Sequence, residues 1–356
     1  MADKAQSRAM AARLLQAFLA AGAQEITPDL LQPAEALLDL YGEDIRARAY
    51  VTADPLRGEM MLRPDFTLPV VQEHMANGAD PARYAYAGEV FRRQDHRGPA
   101  RSNEYFQAGF EIFDRADPEA ADAEVFALFA SLLANVNLSA TIGDMGLLRA
   151  AVDGLETLPA RKAALARHIW RPKRFQHLLA RYSGQIAVPK ARVDLLNGAR
   201  SDAPWIGLRQ PEEMAARIAA LQADAAAAPL PITSVTALNA LAALRCPASD
   251  APAQLRALNI APLTPAITRL EHRLEALARR GIDLTALQFD ASHGRSTMEY
   301  YDGFVFTFTA ADPALPPVAT GGRYDALTRH LGQGREIPAV GGVIRAGLLA
   351  DLEAQL

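Results

Sequence analysis

In the segment Arg63-Pro64-Asp65-Phe66-Thr67 a carboxylate and a hydroxyl stand two residues apart. An extended backbone points both to one side, an arrangement suited to capturing an ammonium group. Taken alone, a turn capped by Asp and Thr explains the segment better. Gln107 and Glu111 form a second pair, four residues apart in Gln-Ala-Gly-Phe-Glu and therefore on one face of a strand. Glu111 is surrounded in sequence by Gly109, Phe110, Ile112 and Phe113. An acid in such a run must be paired if buried, and a cationic ligand pairs it as well as a protein arginine does. A third group is Glu299-Tyr300-Tyr301-Asp302-Gly303, whose adjacent tyrosines face opposite sides of a strand, so that one lines a pocket while the other packs elsewhere. The fourth is Gly321-Gly322-Arg323-Tyr324-Asp325, where the glycines permit close backbone approach but by themselves signal only a turn.

These groups need elements to hold them. The first residues carry charges throughout, with Leu14, Leu15, Phe18 and Leu19 at helical spacing, which predicts an amphipathic helix and not a signal peptide. Thr27-Pro28-Asp29 reads as a helix start, with helical periodicity running on to Gly42. Residues 83–94 alternate as a strand, as do 105–113, and the loop between them holds Gly98 and Pro99, which predicts a β-hairpin. Helix is expected over 117–135 and through most of 151–285, where Ala, Leu and Arg dominate. Alternation returns at Gly303–Thr309, followed by a tight turn at Gly321 and Gly322 and a last strand and helix from Ile337 onward. Hairpins and helices without regular βαβ alternation or a phosphate-loop pattern predict an α+β fold, an antiparallel sheet flanked by helices.

A chain of 356 residues with 50% hydrophobic and 22% charged residues has ample material for a large core, which excludes wholesale disorder. One cysteine, Cys246, excludes an internal disulfide, and seven scattered histidines show no zinc spacing, so neither a metal nor a cofactor is expected. No run approaches the roughly 20 apolar residues of a membrane span, and the expected location is the cytoplasm. A net charge of -4 offers nucleic acid no global attraction, and the basic run at 167–174 reads as a solvated helix face.

Together and in this order, the four groups resemble the histidyl-tRNA synthetase family and its non-aminoacylating relatives over nearly the whole chain. LRPDFT is similar to the family's LRPE-x-T segment, and VFRRQ through QAGFEIF to class II motif 2 with its loop. EYYDGFVF is similar to the histidine-specific segment, and TGGRYDALTRHLG through PAVGG leads into the motif 3 region; ITPDLLQP resembles motif 1 less closely. The resemblance implies a class II synthetase-like core in two parts, residues 1–145 and 286–356, around a mainly helical middle at 146–285. It further implies that Asp65 and Thr67 hold the amino group of histidine, that Gln107 contacts the amino acid, and that Glu111, Tyr324 and Tyr301 surround the imidazole. Arg92 and Arg101 match the arginines that meet phosphate in the synthetases.

The departures from the synthetase pattern carry the functional expectation. The acidic position that follows FR-x within motif 2 holds Gln94, the histidine-specific arginine aligns with Ser296 beside Arg295, and the motif 3 arginine aligns with Leu348. Arg345, three positions earlier, is expected on another part of the helix surface. Losing one preorganised donor lowers a rate by a factor of about 10² to 10³, so two losses leave little adenylation. The sequence given ends directly after motif 3, with no anticodon-reading domain expected. Among the relatives, the regulatory subunits of ATP phosphoribosyltransferase have this architecture. The resemblance thus implies a non-catalytic chain that partners the short-form catalytic subunit at the first step of histidine biosynthesis, activates it, and transmits inhibition by L-histidine. It implies a self-dimer within a hetero-oligomer and no tRNA. The alternative is a truncated synthetase-like enzyme that still forms an aminoacyl adenylate.

Overall fold

A computed structural model describes residues 2–35, 48–94, 102–199, 208, 210–294 and 301–356. The first helix, α1 (Lys4–Ala20), starts from a capping box in which Asp3 and Gln6 exchange side-chain and backbone hydrogen bonds, and it buries Met10, Ala11, Leu14 and Phe18. Short strands β1 (Gln24–Glu25), β2 (Leu31–Pro33), β3 (Val51–Asp54) and β4 (Gly58–Leu62) lead to α2 (Thr67–Asn77). The expected hairpin follows as β5 (Ala82–Phe91) and β6 (Glu104–Phe113), paired antiparallel from Ala82 opposite Phe113 to Phe91 opposite Glu104. Next come α3 (Pro118–Leu132), β7 (Leu138–Asp144) and α4 (Met145–Asp153).

The middle of the chain is helical: α5 (Pro159–Arg167), α6 (Pro172–Tyr182), α7 (Lys190–Leu196), α8 (Pro211–Ala226) and α9 (Ile232–Ala243) precede β8 (Arg245–Pro247), α10 (Ala251–Ala257) and α11 (Thr264–Arg279). Pro118, Pro159, Pro172 and Pro211 each open a helix, where the missing N–H leaves no bond unmade. The chain closes with β9 (Gln288–Asp290), β10 (Phe304–Ala310), β11 (Ala319–Arg323), α12 (Asp325–Leu331), β12 (Ala339–Arg345) and α13 (Ala346–Glu353).

Nine strands form one sheet in the order β1-β5-β6-β12-β11-β10-β7-β9-β8, and β2-β4-β3 form a small separate one. The large sheet is mixed, which corrects the expectation of a purely antiparallel one: β1 joins β5 and β7 joins β9 in parallel, while β5 through β7 pair antiparallel. One face packs against α1 and α3 through aromatic rings, Phe18 on Phe110 and Phe129 on Phe306. Beneath that layer Asp122 of α3, fully buried, accepts hydrogen bonds from Arg273 of α11 at 2.7 Å and from Arg323 of β11 at 2.7 Å. Arg273 also donates to Asp144 at 2.8 Å, so the network ties the helical middle to the sheet.

Two local expectations are corrected, and of the two readings of Asp65 and Thr67 the structure takes the turn. Gly321 and Gly322 lie inside β11 and make no turn; the chain turns after them, at Tyr324. Their bareness serves packing, since a side chain at Gly321 would collide with the Phe306 ring. Leu31–Pro33 is a strand paired to β4 and not part of a helix, while the remainder of that predicted helix, 36–47, lies outside the described residues. Asp65 and Thr67 are not extended neighbours: Thr67 begins α2, and Asp65 accepts from the Leu68 N–H at 3.4 Å in the turn before it.

Candidate functional site

The sheet face opposite α1 and α3 carries the predicted groups. Register places Glu111 of β6, Gly341 of β12, Gly322 of β11, Val305 of β10 and Gly143 of β7 side by side across five strands. Residues opposed in antiparallel strands share a face, so three glycines leave a low floor of bare backbone beside one carboxylate. Gly341 admits no side chain, because a methyl group there would overlap the Glu111 carboxylate. Tyr301 lies against Gly322, its Cδ1 2.9 Å from where a β-carbon would stand.

Glu111 is 1% exposed and has three hydroxyl donors: Tyr324 at 2.6 Å, Tyr86 at 2.7 Å and Thr67 at 3.2 Å. Burial pushes its pKa up to about 7, against the pull of the three hydrogen bonds, and the nearby Asp65 charge pushes the same way. Burial drives the Tyr86 and Tyr324 hydroxyls well above the ordinary tyrosine range, so both remain protonated donors. Glu111 is thus satisfied in hydrogen bonds, and among the described residues no cation is bonded to it. Such a group gains from a cation placed beside it.

The structure brings Asp65, Thr67, Gln107, Glu111, Tyr301 and Tyr324 onto this face as buried side chains, between 1% and 5% exposed. Gln107, four residues from Glu111 on β6, has an Oε1 atom with no hydrogen-bond partner among the described residues. Arg92 is half-buried and its Nε donates to the Pro64 carbonyl at 2.7 Å, beside the turn that holds Asp65. Arg101 and the positions of Arg295, Ser296, Glu299 and Tyr300 lie outside the described residues.

Sequence reasoning missed two members. Tyr86 donates to Glu111, and its ring fills the space over Gly109, the residue opposite it in β6. The signal was available: a glycine in one strand facing a tyrosine in the next. Arg345, expected on another part of the helix surface, is instead the last residue of β12, directly opposite Gln107. Leu348 sits in α13, partly buried against the core.

Tyr324 is held from both sides. Arg323 is anchored by Asp122 and donates to Asp325 at 3.0 Å, while Asp302 accepts from the Asp325 and Ala326 N–H groups and so caps α12. Burial raises the Asp302 carboxyl, and the Asp325 carboxyl reaches about 6 for the same reason. Among the described residues no cluster of His, Cys, Asp or Glu is placed to hold a metal ion, and no helix is long and apolar enough to cross a membrane. A separate cleft of 510 Å³, lined by Gln176, Asn239, Arg245, Ser292 and His293 among others, shares no residue with the Glu111 group.

Residues 2–201 and 209–346 match the family model described as histidyl-tRNA synthetase. A protein of Agrobacterium fabrum named ATP phosphoribosyltransferase regulatory subunit is 34% identical to this chain, with 93% of each covered. The chain belongs to the histidyl-tRNA synthetase-like family of ATP phosphoribosyltransferase regulatory subunits. A Mesorhizobium japonicum protein of the same name is 32% identical, with 94% of each covered. Among solved structures, one described as an ATP phosphoribosyltransferase regulatory subunit/histidyl-tRNA synthetase from Bacillus halodurans superposes with a TM-score of 0.68 at 21% identity, covering 98% of this chain and 79% of that one. A histidine-tRNA ligase subunit from Alicyclobacillus acidocaldarius gives 0.61 at 23% identity, covering 98% of this chain and 93% of that one. These two likenesses concern the fold, a class II synthetase-like core with a mixed sheet flanked by helices.

Proposed function

We propose that this chain is a non-catalytic regulatory subunit of ATP phosphoribosyltransferase, acting at the first step of histidine biosynthesis with the short-form catalytic subunit as its partner and L-histidine as its effector. The observation that carries the reading is Glu111: a buried carboxylate with three hydroxyl donors and, among the described residues, no bonded cation, beside a second acid, in a family with relatives named regulatory subunits. An imidazole with a solution pKa of about 6.5 matches a carboxyl poised near 7, and one proton shared between them gives a neutral-to-charged pairing that binding itself stabilises. Asp65, Thr67 and Gln107 meet the amino-acid end, while Tyr301 and Tyr324 close the sides.

Histidine in this pocket shifts a hetero-oligomer between active and inactive arrangements, with a coupling of about 1 to 3 kcal/mol. Linkage then requires that the catalytic subunit's substrates weaken histidine binding here by the same factor as histidine weakens theirs.

The direct test is phosphoribosyl transfer to ATP by a short-form catalytic subunit, with and without this chain, across a histidine titration. Activation that histidine reverses, and that Glu111→Gln desensitises, is the expected result. A demonstrated complex without activation overturns it. The adenylate-forming alternative draws on the placement of Arg92 beside Pro64, and histidine-dependent pyrophosphate exchange would reveal it.

A further inference from the structure

The six side chains assigned to the amino acid comprise two acids, an amide and three hydroxyls, with no positive charge among them. An amino acid at neutral pH carries a carboxylate, and a buried carboxylate facing only acids and neutral groups is strongly disfavoured. A cation is required at the Gln107 end.

Two guanidinium groups flank Gln107 in the sheet. On one side Gly88 of β5 pairs with Gln107, and Arg63 lies over that glycine, its Nη2 2.6 Å from where a β-carbon would stand. Arg63 donates through Nε to the Glu89 carbonyl at 2.9 Å and through Nη1 to the Pro28 carbonyl at 2.6 Å, and it lies over the Phe66 ring at 3.9 Å. On the other side Arg345 of β12 is the direct partner of Gln107, with its guanidinium over the Tyr105 ring at 4.7 Å. Tyr105 shares the face of Gln107, two residues away along β6. Its hydroxyl is buried and has no partner among the described residues, as is true of Gln107 Oε1. Buried polar atoms are almost always satisfied, so two orphans on one face beside an arginine mark a place for a polar ligand. Their chemistry is complementary to an amino acid's backbone end: Oε1 accepts from an ammonium, while the phenol and guanidinium donate to a carboxylate.

We infer that Arg345, with the Tyr105 hydroxyl, is the carboxylate-recognising element of this pocket and makes it selective for an intact α-amino acid over the corresponding amine. This rests on the reading of the site as an amino-acid pocket.

The test is isothermal titration of the full chain with L-histidine and with histamine, its decarboxylated counterpart. Wild type is expected to prefer histidine by about tenfold or more, the factor of one charge-assisted hydrogen bond. Arg345→Met should bring the ratio close to one while leaving histamine affinity within about twofold, and Arg345→Lys should restore part of the preference. Tyr105→Phe, which removes one oxygen and keeps the ring, should lower the ratio in the same direction and serves if Arg345→Met fails to fold. An unchanged ratio in these variants overturns the inference and leaves the pocket standing. Failure of both ligands to bind wild type overturns the pocket reading and this inference with it.

Discussion

Tyr324 reaches Glu111 across an intervening strand: the phenol follows β11, the carboxylate lies on β6, and the 2.6 Å hydrogen bond passes over β12 at Gly341. Two parts of the chain separated by 213 residues are joined there through one proton.

Tyr324→Phe removes that donor and leaves a buried carboxylate oxygen short of a partner. The expected loss is about 1 to 3 kcal/mol of folding stability, read as a lower urea midpoint at unchanged m-value. An unaltered midpoint would show that the bond contributes nothing net.

The pH dependence of stability isolates Glu111. Its pKa in the fold is about 7, above the ordinary 4.5, so the folded protein keeps this proton to a higher pH than the unfolded chain. The group's contribution therefore favours folding fully below pH 4.5 and is lost as pH rises through 7. The stability of wild type relative to Glu111→Gln should fall across that window and level off above it. At about 1.4 kcal/mol per unit the change is at most about 3 kcal/mol. A difference that rises with pH would contradict the assignment.

Gly341→Ala places a methyl group in the volume of the Glu111 carboxylate. Sheet backbone cannot yield, so the carboxylate must swing away from Tyr324 and Tyr86. Histidine binding by calorimetry should drop below detection, with destabilisation of about 1 to 3 kcal/mol. Wild-type affinity in this variant would mean that Glu111 is not where the ligand binds.

Asp122→Ala removes the carboxylate shared by two buried guanidinium groups and leaves Arg273 with Asp144 and Arg323 with Asp325 as their remaining acids. Breaking a buried ion pair on one side costs about 3 to 5 kcal/mol, measurable by urea unfolding. If the network only adds stability, histidine affinity of the folded fraction is unchanged; if it also positions Tyr324, affinity falls alongside.

Much of the site was legible in the sequence because strand periodicity is strict. Gln107 and Glu111, four apart, had to share a face, and the alternation of residues 83–94 and 105–113 announced the hairpin that carries them. Asp65 and Thr67 come near Glu111 through a turn, the reading the segment favours when taken alone, and not through extended backbone, because α2 begins at Thr67. Tyr86 carried a signal in the glycine opposite it in the hairpin, whereas Arg345 escaped because its position follows from register between β6 and β12, strands distant in sequence, which no local pattern encodes. The parallel pairings at β1 and β9 escaped for the same reason, since strands of two or three residues carry almost no periodic signal.

The Asp122 network also sets when a working pocket can exist. Its hydrogen bonds to Arg273 and Arg323 close loops of 151 and 201 residues, and Gly341 is contributed by β12, near the C-terminal end of the sequence. Such long-range contacts are slow to form and reward the chain only once both ends are present. During synthesis, Glu111 leaves the ribosome more than two hundred residues before Tyr324. The Glu111 group is therefore completed only once β12 has been made, and a product lacking that strand would leave β6 and β11 without the neighbour that joins them.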